Sequence, residues 1–458
     1  MRPSVLLSAM LALPSALALN PGAAPPEPEG AAEPIPAFAR QYRTSCSTCH
    51  TAAPKLNVLG EAFRLNGYRM PDNELLLRHD DPVPLGDDAW KDEWPRAIWP
   101  GEIPGQVPLA LRIQLDAGLT LDEVDGTHLA YRFPHEVYLL AGTPLGGTIS
   151  TFLETVWSEE SGVDVVQAKV LFQNLIPVLP KRMVNLWVGL QNPYLFTFTD
   201  RQIDRAARLK FRWQEFRPSD ITVTDPITGV DVVSANDFGL GMPQPSVELN
   251  GLVTGRLYYA VGVGQGAGGL TTDNNDRKDF YYRLRYKLGG LDLGGSYAPG
   301  GGPVLGGGGQ LLDRSIIIEH FGYFGAEPTA DGGQDTHRSF GIDVRALYGR
   351  WDVGVGWTRS EYDAPWGAQV PGALSLSSVF GKVEWLAFPW FIGSLKIDSF
   401  WSDAPDAALD EQEVRVMPGL VMLIRQNVRG VIEAEWFTKQ TRPRELPNSL
   451  WFRLDVSF

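Results

Sequence analysis

Cysteine is nearly absent from this chain, with 2 in 458 residues, and histidine is scarce at 6. So few soft ligands leave nothing from which to assemble a zinc site, which needs further Cys or clustered His. No apolar run after the first residues approaches the roughly 20 that a spanning helix requires, which excludes a helical membrane protein but not a spanning barrel. Positive charge is in deficit: 40 basic against 54 acidic residues give a net charge of −14. No basic stripe exists to neutralise phosphates, so nucleic acid is excluded as a partner, and the surface suits cations better. A repeat of about 40 residues is missing, which counts against a propeller. P-loop, dinucleotide fingerprint and nucleophile elbow are missing too, since Gly262-Val263-Gly264-Gln265-Gly266 reads as strand-end and loop glycine.

What is present begins with an address. Arg2 forms a positive n-region, Val5 to Leu17 a short apolar core, and Ser15-Ala16-Leu17-Ala18 a cleavable end, which predicts a signal peptide over residues 1–18 and export. Residues 19–36, rich in Pro, Ala and Glu, read as an extended linker.

Both cysteines fall in one motif, Cys46-Ser47-Thr48-Cys49-His50. C-x-x-C-H is the c-type haem attachment pattern: two thiols add to the porphyrin vinyl groups, and the adjacent imidazole of His50 ligates the iron as proximal ligand. The competing readings are a thioredoxin-like redox pair, a zinc half-site and a structural disulfide. A redox pair expects a βαβ context that is missing. For the sixth position the nearest candidates are Met70 and His79, or the site stays open; Met70 is the favoured distal ligand. Between His50 and Met70, Leu56, Leu59, Phe63 and Gly67 recur at helical spacing, with Pro54 placed for the first turn and Gly67 for the stop. Arg40, Arg43, Arg64 and Arg69 flank the motif as partners for haem propionates or as plain solvated charges. Such a haem domain, residues 37–80, is too small to be secure without its cofactor, and residues 81–108 form a second linker.

From Leu109 to Phe458 the pattern has period two. Val428, Ile432, Ala434 and Trp436 oppose Arg429, Glu433 and Glu435, and Leu284, Tyr286 and Leu288 alternate with Arg283, Arg285 and Lys287. Short turn signals at 143–147, 288–291, 347–350 and 387–390 alternate with longer Gly- and Asp-rich stretches at 264–276, 299–310, 326–336, 362–372 and 402–411. Short turns at one end and long loops at the other predict a transmembrane antiparallel β-barrel of about 16 strands over residues 109–458, in the bacterial outer membrane. Trp157, Trp187, Trp351, Trp357, Trp385, Trp390, Trp401, Trp436 and Trp451 are expected in interfacial girdles. A soluble β-sandwich gives the same alternation, so periodicity alone does not separate the two. Strand signals are clear after Asp279 and weak between Thr199 and Gly251. Acidic loop residues, Asp273, Asp276, Asp331, Asp335, Asp403, Asp406, Asp410, Glu411 and Glu413, attract hard or borderline cations or serve solubility.

The runs Pro36-Ala37-Phe38-Ala39-Arg40-Gln41, Cys46-Ser47-Thr48-Cys49-His50, Leu56-Asn57-Val58-Leu59-Gly60-Glu61-Ala62-Phe63 and Asn66-Gly67-Tyr68 together resemble the fused monohaem cytochrome-porin family of outer-membrane iron oxidases. The likeness is specific over residues 36–70 and architectural beyond. It implies a single covalent haem c at the barrel, and electrons passing between an extracellular donor, ferrous iron in the best-known members, and a periplasmic carrier such as a soluble cytochrome c. In iron oxidisers the residues after the haem histidine are aromatic and His-bearing; Thr51-Ala52-Ala53 stand here, which weakens iron as donor more than electron transfer. The alternative expectation is a porin-like channel with the haem domain as plug or sensor.

Overall fold

The computed structural model describes residues 37–71, 78–79, 81, 83–86, 89–96, 101–122, 126–159, 161–193, 195, 216–225, 227–266, 275–296, 304–305, 311–405, 410–441 and 446–458. The expected signal peptide and first linker, and Asp273 and Asp406 of the acidic loops, lie outside them. From Ile35 onward the chain forms one compact unit.

The N-terminal part runs α1 (Ala37–Gln41), a 3-10 turn (Cys46–Thr48), β1 (His50–Ala52), β2 (Lys55–Leu56), α2 (Val58–Leu65), β3 (Val83–Pro84), α3 (Ala89–Glu93) and β4 (Glu102–Ile103). The barrel follows. Its strands are β5 (Leu109–Asp122), β6 (Gly126–Leu145), β7 (Ile149–Ser158), β8 (Gly162–Phe172) and β9 (Asn185–Gln191), and, after a long in-folded loop holding the hairpin β10 (Thr222–Thr224) and β11 (Asp231–Val233), β12 (Gln244–Val253), β13 (Leu257–Gly264) and β14 (Asp279–Gly289). The rest are β16 (Leu311–Pro328), edged by the two-residue β15 (Val304–Leu305), then β17 (Gln334–Gly349), β18 (Trp351–Tyr362), β19 (Leu374–Phe388), β20 (Phe391–Asp403), β21 (Gln412–Arg425), β22 (Val428–Thr441) and β23 (Asn448–Ser457).

Leaving aside β10, β11 and β15, sixteen antiparallel strands close on themselves, with β9 paired to β12 and β23 paired back to β5 from Asn448↔Leu121 to Ser457↔Arg112. Closure leaves no open strand edge, which a bilayer demands. The two faces of the wall are unlike. On β14, Arg283 and Arg285 are 1% and 3% exposed while Leu284 between them is 47% exposed. Inside, charges are paired across strands: Arg285 with Glu319, Lys287 with Asp313, Arg345 with Asp352, Arg453 with Asp116 and Lys396 with Glu433. An apolar exterior around an ion-paired interior is a membrane-spanning wall turned inside out relative to a soluble sandwich. Among the described residues no helix is long and apolar enough to cross a membrane.

The barrel ends differ. At one, which also carries Leu109 and Phe458, most neighbouring strands are joined by Arg350 alone or by residues 146–148, 254–256, 389–390 and 426–427, with 173–184 and 290–310 the longer exceptions. At the other lie most of the long loops, namely 192–243, 265–278, 363–373 and 404–411, beside the short connections 123–125, 159–161 and 329–333. By the usual asymmetry the first is the periplasmic end and the second the outer end. Several expectations need correction. Of the expected long stretch 326–336 only 329–333 connects strands, because β16 runs to Pro328 and β17 starts at Gln334, and the turn signal at 288–291 opens the long connection 290–310. The stretch 299–310 belongs to the connection 290–310 at the short-turn end, because it follows β14 on its way to β16. Trp187 and Trp451 face the lumen: Trp187 is buried among Tyr68, Phe152 and Leu171, and Trp451 shares the face of Arg453 and Asp455 beneath the Arg132 guanidinium. The other seven tryptophans of the expected girdles are exposed or lie on the outward face.

Candidate cofactor site

The C-x-x-C-H motif lies inside the short-turn mouth of the barrel. The 3-10 turn closes with Cys49 N–H donating to Cys46 O at 3.2 Å, and both cysteines line one cavity as free thiols. Burial pushes the Cys49 thiol up to about 12, the neighbouring Cys46 adding to it, and burial raises Cys46 as well. Catalytic redox pairs need a depressed pKa, so this environment argues against that reading. Next in line, His50 Nδ1 lies 3.2 Å from Pro54 O. A carbonyl can only accept, so Nδ1 carries the hydrogen and the lone pair resides on Nε2, the tautomer that a carbonyl-anchored metal-binding histidine adopts.

The helix expected after the motif is present, but it starts later than Pro54. Pro54 sits in the turn of the β1–β2 hairpin, and α2 begins at its cap, Asn57. Asn57 Oδ1 accepts from Leu59 and Gly60 N–H, both at 3.0 Å, while Nδ2 donates to Ser47 O and Thr48 O at 3.1 and 3.0 Å. One side chain thus caps the helix and fastens the cysteine turn to it. Gly60 completes the junction: a Cβ there would lie 2.1 Å from Cys49 O. The helix stops where the sequence predicts. Tyr68 N–H donates to Phe63 O and Gly67 N–H to Arg64 O, a Schellman closure with Gly67 at φ +67°. Tyr68 follows at φ +59°. Two successive left-handed residues reverse the chain and bring Met70 back to the wall of the same cavity, where Asn66 Nδ2 holds the Arg69 and Met70 carbonyls.

The cavity is partly open to solvent and leaves about 1190 Å³ of space between its walls and the mouth. Its walls are aromatic: Phe38 stacks on Tyr68 (5.5 Å), Tyr68 on Phe152 (4.7 Å), and Phe63 meets Phe38 edge-on (5.1 Å). The barrel contributes too. Gly142 on β6 makes room for Phe38, whose ring would lie 2.7 Å from an added Cβ, and Arg112 on β5 lines the cavity while forked onto Asp455. Sequence reasoning missed Asn57, Gly60, Gly142 and Arg112; the Asn before a helical pattern was the one local signal, since the others act across the fold. Two thiols, an imidazole in the iron-binding tautomer, a thioether and a large apolar pocket form a donor set that fits a c-type haem. Among the described residues no three His, Cys, Asp or Glu side chains gather to hold a bare metal ion.

The remaining candidates fall elsewhere. His79 is exposed and is not among the cavity residues; its N–H donates to Gln41 O. Of the four flanking arginines only Arg64 lines the cavity. Arg40 donates to Val107 O and Leu109 O, Arg69 to Gly146 O and Ile149 O, and Arg43 is exposed. The acidic loop groups are mostly spent on local bonds: Asp335 takes Asn236 Nδ2 and Ala364 N–H, Asp410 takes Ala404 N–H, and Asp331 takes Gly333 and Ala368 N–H.

Contacts on several sides hold the module in the mouth. Lys55 pairs with Asp352 and Glu384, Ala52 packs with Leu386, Ile392, Val421 and Val431, and Leu65 with Leu252, Tyr258 and Leu293. Glu61 bridges Arg64 (3.0 Å) and Arg285 of β14 (3.6 Å). Burial alone would raise the Glu61 carboxyl, but the Arg64 and Arg285 charges outweigh it and hold it at about 2. Because the folded pKa is depressed, this contribution is complete above the ordinary value of 4.5 and is lost as pH falls towards 2. Protease cleavage within residues 37–71 is therefore expected to rise over that window, and Glu61→Gln to flatten the rise; an unchanged pH profile in the variant would remove Glu61 from the docking.

Comparison with known proteins gives the fold and nothing finer. Neither a family model nor a curated protein matches the sequence. Among solved structures, the outer membrane channel DcaP of Acinetobacter baumannii aligns over 78% of this chain and 97% of its own, at 10% identity and a TM-score of 0.51. An anion-selective porin from Comamonas acidovorans aligns over 77% of this chain and 99% of its own, at 10% identity and a TM-score of 0.50. This chain has a porin-type outer-membrane barrel.

Proposed function

We propose that this protein carries one covalent haem c in the periplasmic mouth of its barrel and passes single electrons between a donor outside the cell and a periplasmic carrier such as a soluble cytochrome c. The observation that carries the reading is the convergence of Cys46, Cys49, His50 and Met70 on one large aromatic cavity inside the barrel. Cys46 and Cys49 would hold the porphyrin edge, His50 Nε2 and the Met70 thioether the iron, and Arg64 and Arg112 the propionates. When bound, the group supplies a one-electron couple, and Met70 as ligand gives a higher potential than a second imidazole. Phe38, Phe63, Tyr68 and Phe152 exclude water from the pocket, which tunes that couple further. Ferrous iron is the donor the family resemblance suggests; an iron oxidase is the form the activity would then take.

The porin-type fold favours a second reading, a solute channel with a haem-bearing plug. Against an open pore stands the packing of the lumen: Tyr281, Glu319, Asp343 and Ser378 face inward and none exceeds 1% exposure, where a water-filled channel would wet them.

Absorption spectroscopy and intact mass of the full chain, expressed with a cytochrome c maturation system, test the proposal. One haem per chain is expected; a colourless protein overturns it. Met70→Ala is expected to keep the covalent haem, lower its midpoint potential and change the spectrum to that of an altered sixth ligand. An unchanged spectrum and potential would remove Met70 from the iron.

A further inference from the structure

The outward face of the barrel carries a strip that the haem reading does not use. Strand pairing sets Arg314 of β16, Tyr348 of β17, Trp351 of β18 and Trp385 of β19 in one row, through Arg314↔Tyr348, Tyr348↔Trp351 and Trp351↔Trp385. All four are exposed and lie near the short-turn end. The Arg314 guanidinium stands 5.2 Å from the Tyr348 ring centroid, and Trp351 stacks on Trp385 at 5.8 Å and 18°. Arg350, exposed in the one-residue turn before Trp351, donates through Nη1 to Ala387 O at 3.1 Å, which brings its charge to the end of the strand bearing Trp385. The next outward row, towards the middle of the band, is Ile316, Ala346, Val353, Val383 and Leu395. Cation and ring give way to hydrocarbon within two residues. The first row ends at Gly393 of β20, paired with Trp385. Glycine weakens a strand and often marks close approach by another molecule. Nothing inside the fold calls for it here: its φ is not positive, and an added Cβ would meet no atom within 4 Å. The missing side chain leaves a notch beside the Trp385 indole, on the face that meets lipid. Charge is also placed unevenly. In a chain of net charge −14, the connections at this end hold Lys181, Arg182, Arg256 and Arg350 against one acid, Asp292, whose carboxylate accepts from Gly294 and Ser296 N–H.

We propose that Arg314, Tyr348, Arg350, Trp351, Trp385 and Gly393 form a binding site for an anionic phospholipid of the periplasmic leaflet. Its phosphate is held by the two guanidiniums, its glycerol backbone lies on the aromatic row, and one acyl chain enters the notch at Gly393 and continues over Leu395. Rings at a membrane interface would seat any lipid. The arginines add selectivity: a zwitterionic headgroup returns as much positive charge as it brings negative, so two cations discriminate by net headgroup charge. The inference goes beyond electron transfer and stands on the outer-membrane barrel alone. Its consequence is mechanical, since a lipid held at this rim fixes the depth of the mouth that carries the C-x-x-C-H module.

Native mass spectrometry of the full-length chain in detergent, with phosphatidylglycerol or phosphatidylcholine added, tests this. One phosphatidylglycerol per chain is expected to stay bound where phosphatidylcholine is lost. In Arg314→Gln/Arg350→Gln the preference for phosphatidylglycerol should fall by about thirtyfold. Gly393→Leu, which fills the notch and keeps both charges, should weaken both lipids alike. The heat-dependent gel shift of a closed barrel shows that each variant is folded. Glycerol phosphate, which has no acyl chain, is expected not to compete. Equal retention of the two lipids by the unmutated chain, an unchanged preference in the arginine variant, or displacement by glycerol phosphate would overturn the site. So would a mass of two or three chains without bound lipid, which would give the row to a second copy. None of these outcomes bears on the haem, whose absorption is read separately.

Discussion

Replacing Cys46 and Cys49 together by alanine is expected to give a colourless protein that still folds as a barrel. Both thioether positions are then lost, and His50 alone cannot retain a porphyrin through denaturation, so haem staining on a denaturing gel should fall to background. The barrel has no stake in the change, because its closure rests on β23–β5 and β9–β12 pairing. The N-terminal module does have one. Its aromatic shell lines a cavity partly open to solvent, and without its cofactor that shell lacks a filling, a penalty for a segment with so little core of its own. Proteolysis within residues 37–71 should accelerate while the barrel stays resistant. Retained stain in the double variant would remove the motif from haem attachment.

Gly60→Ala should act with a sign opposite to the usual one. Within a helix, Gly to Ala ordinarily stabilises by about 1 kcal/mol. Here the new methyl group would sit 2.1 Å from Cys49 O and 3.0 Å from the Leu56 side chain. The backbone carbonyl cannot step aside without breaking the bond it accepts from Asn57 N–H (2.9 Å), so α2 and the cysteine turn must separate. Overpacking of this kind costs about 1–3 kcal/mol, and it falls on the junction that orients both thiols. Haem incorporation, read as haem absorbance per unit protein, should drop sharply although every ligand remains. Normal incorporation with a stabilised module would show that α2 does not rest on Cys49.

The architecture was legible in the sequence wherever two unlike environments flank a strand. Leu284 and Arg283 face lipid and ion-paired lumen, so their alternation survives in composition, and the expected count of about 16 strands agrees with the closed barrel. The stretch 192–243 was opaque for a physical reason: Phe216, Ile221, Val223, Phe238 and Leu240 bury themselves inside the lumen, so apolar residues there do not mark a lipid face. The same lumen packing misled the reading of Trp187, which lies against the haem-motif module rather than at an interface. In the site, C-x-x-C-H was readable because its chemistry is contiguous. The Met70 approach rests on a Schellman closure that Gly67 announces locally. Arg112 and Gly142 could not be found this way, since strand pairing, not spacing, delivers them to the cavity.

Electron transfer across a sealed bilayer tests the central claim most directly. With the full-length haem-loaded chain in liposomes enclosing oxidised cytochrome c, a membrane-impermeant one-electron reductant added outside should reduce the enclosed cytochrome, and the Cys46→Ala/Cys49→Ala variant should abolish this. Reduction at the same rate in both proteins, or solute leakage without haem-dependent reduction, would contradict it.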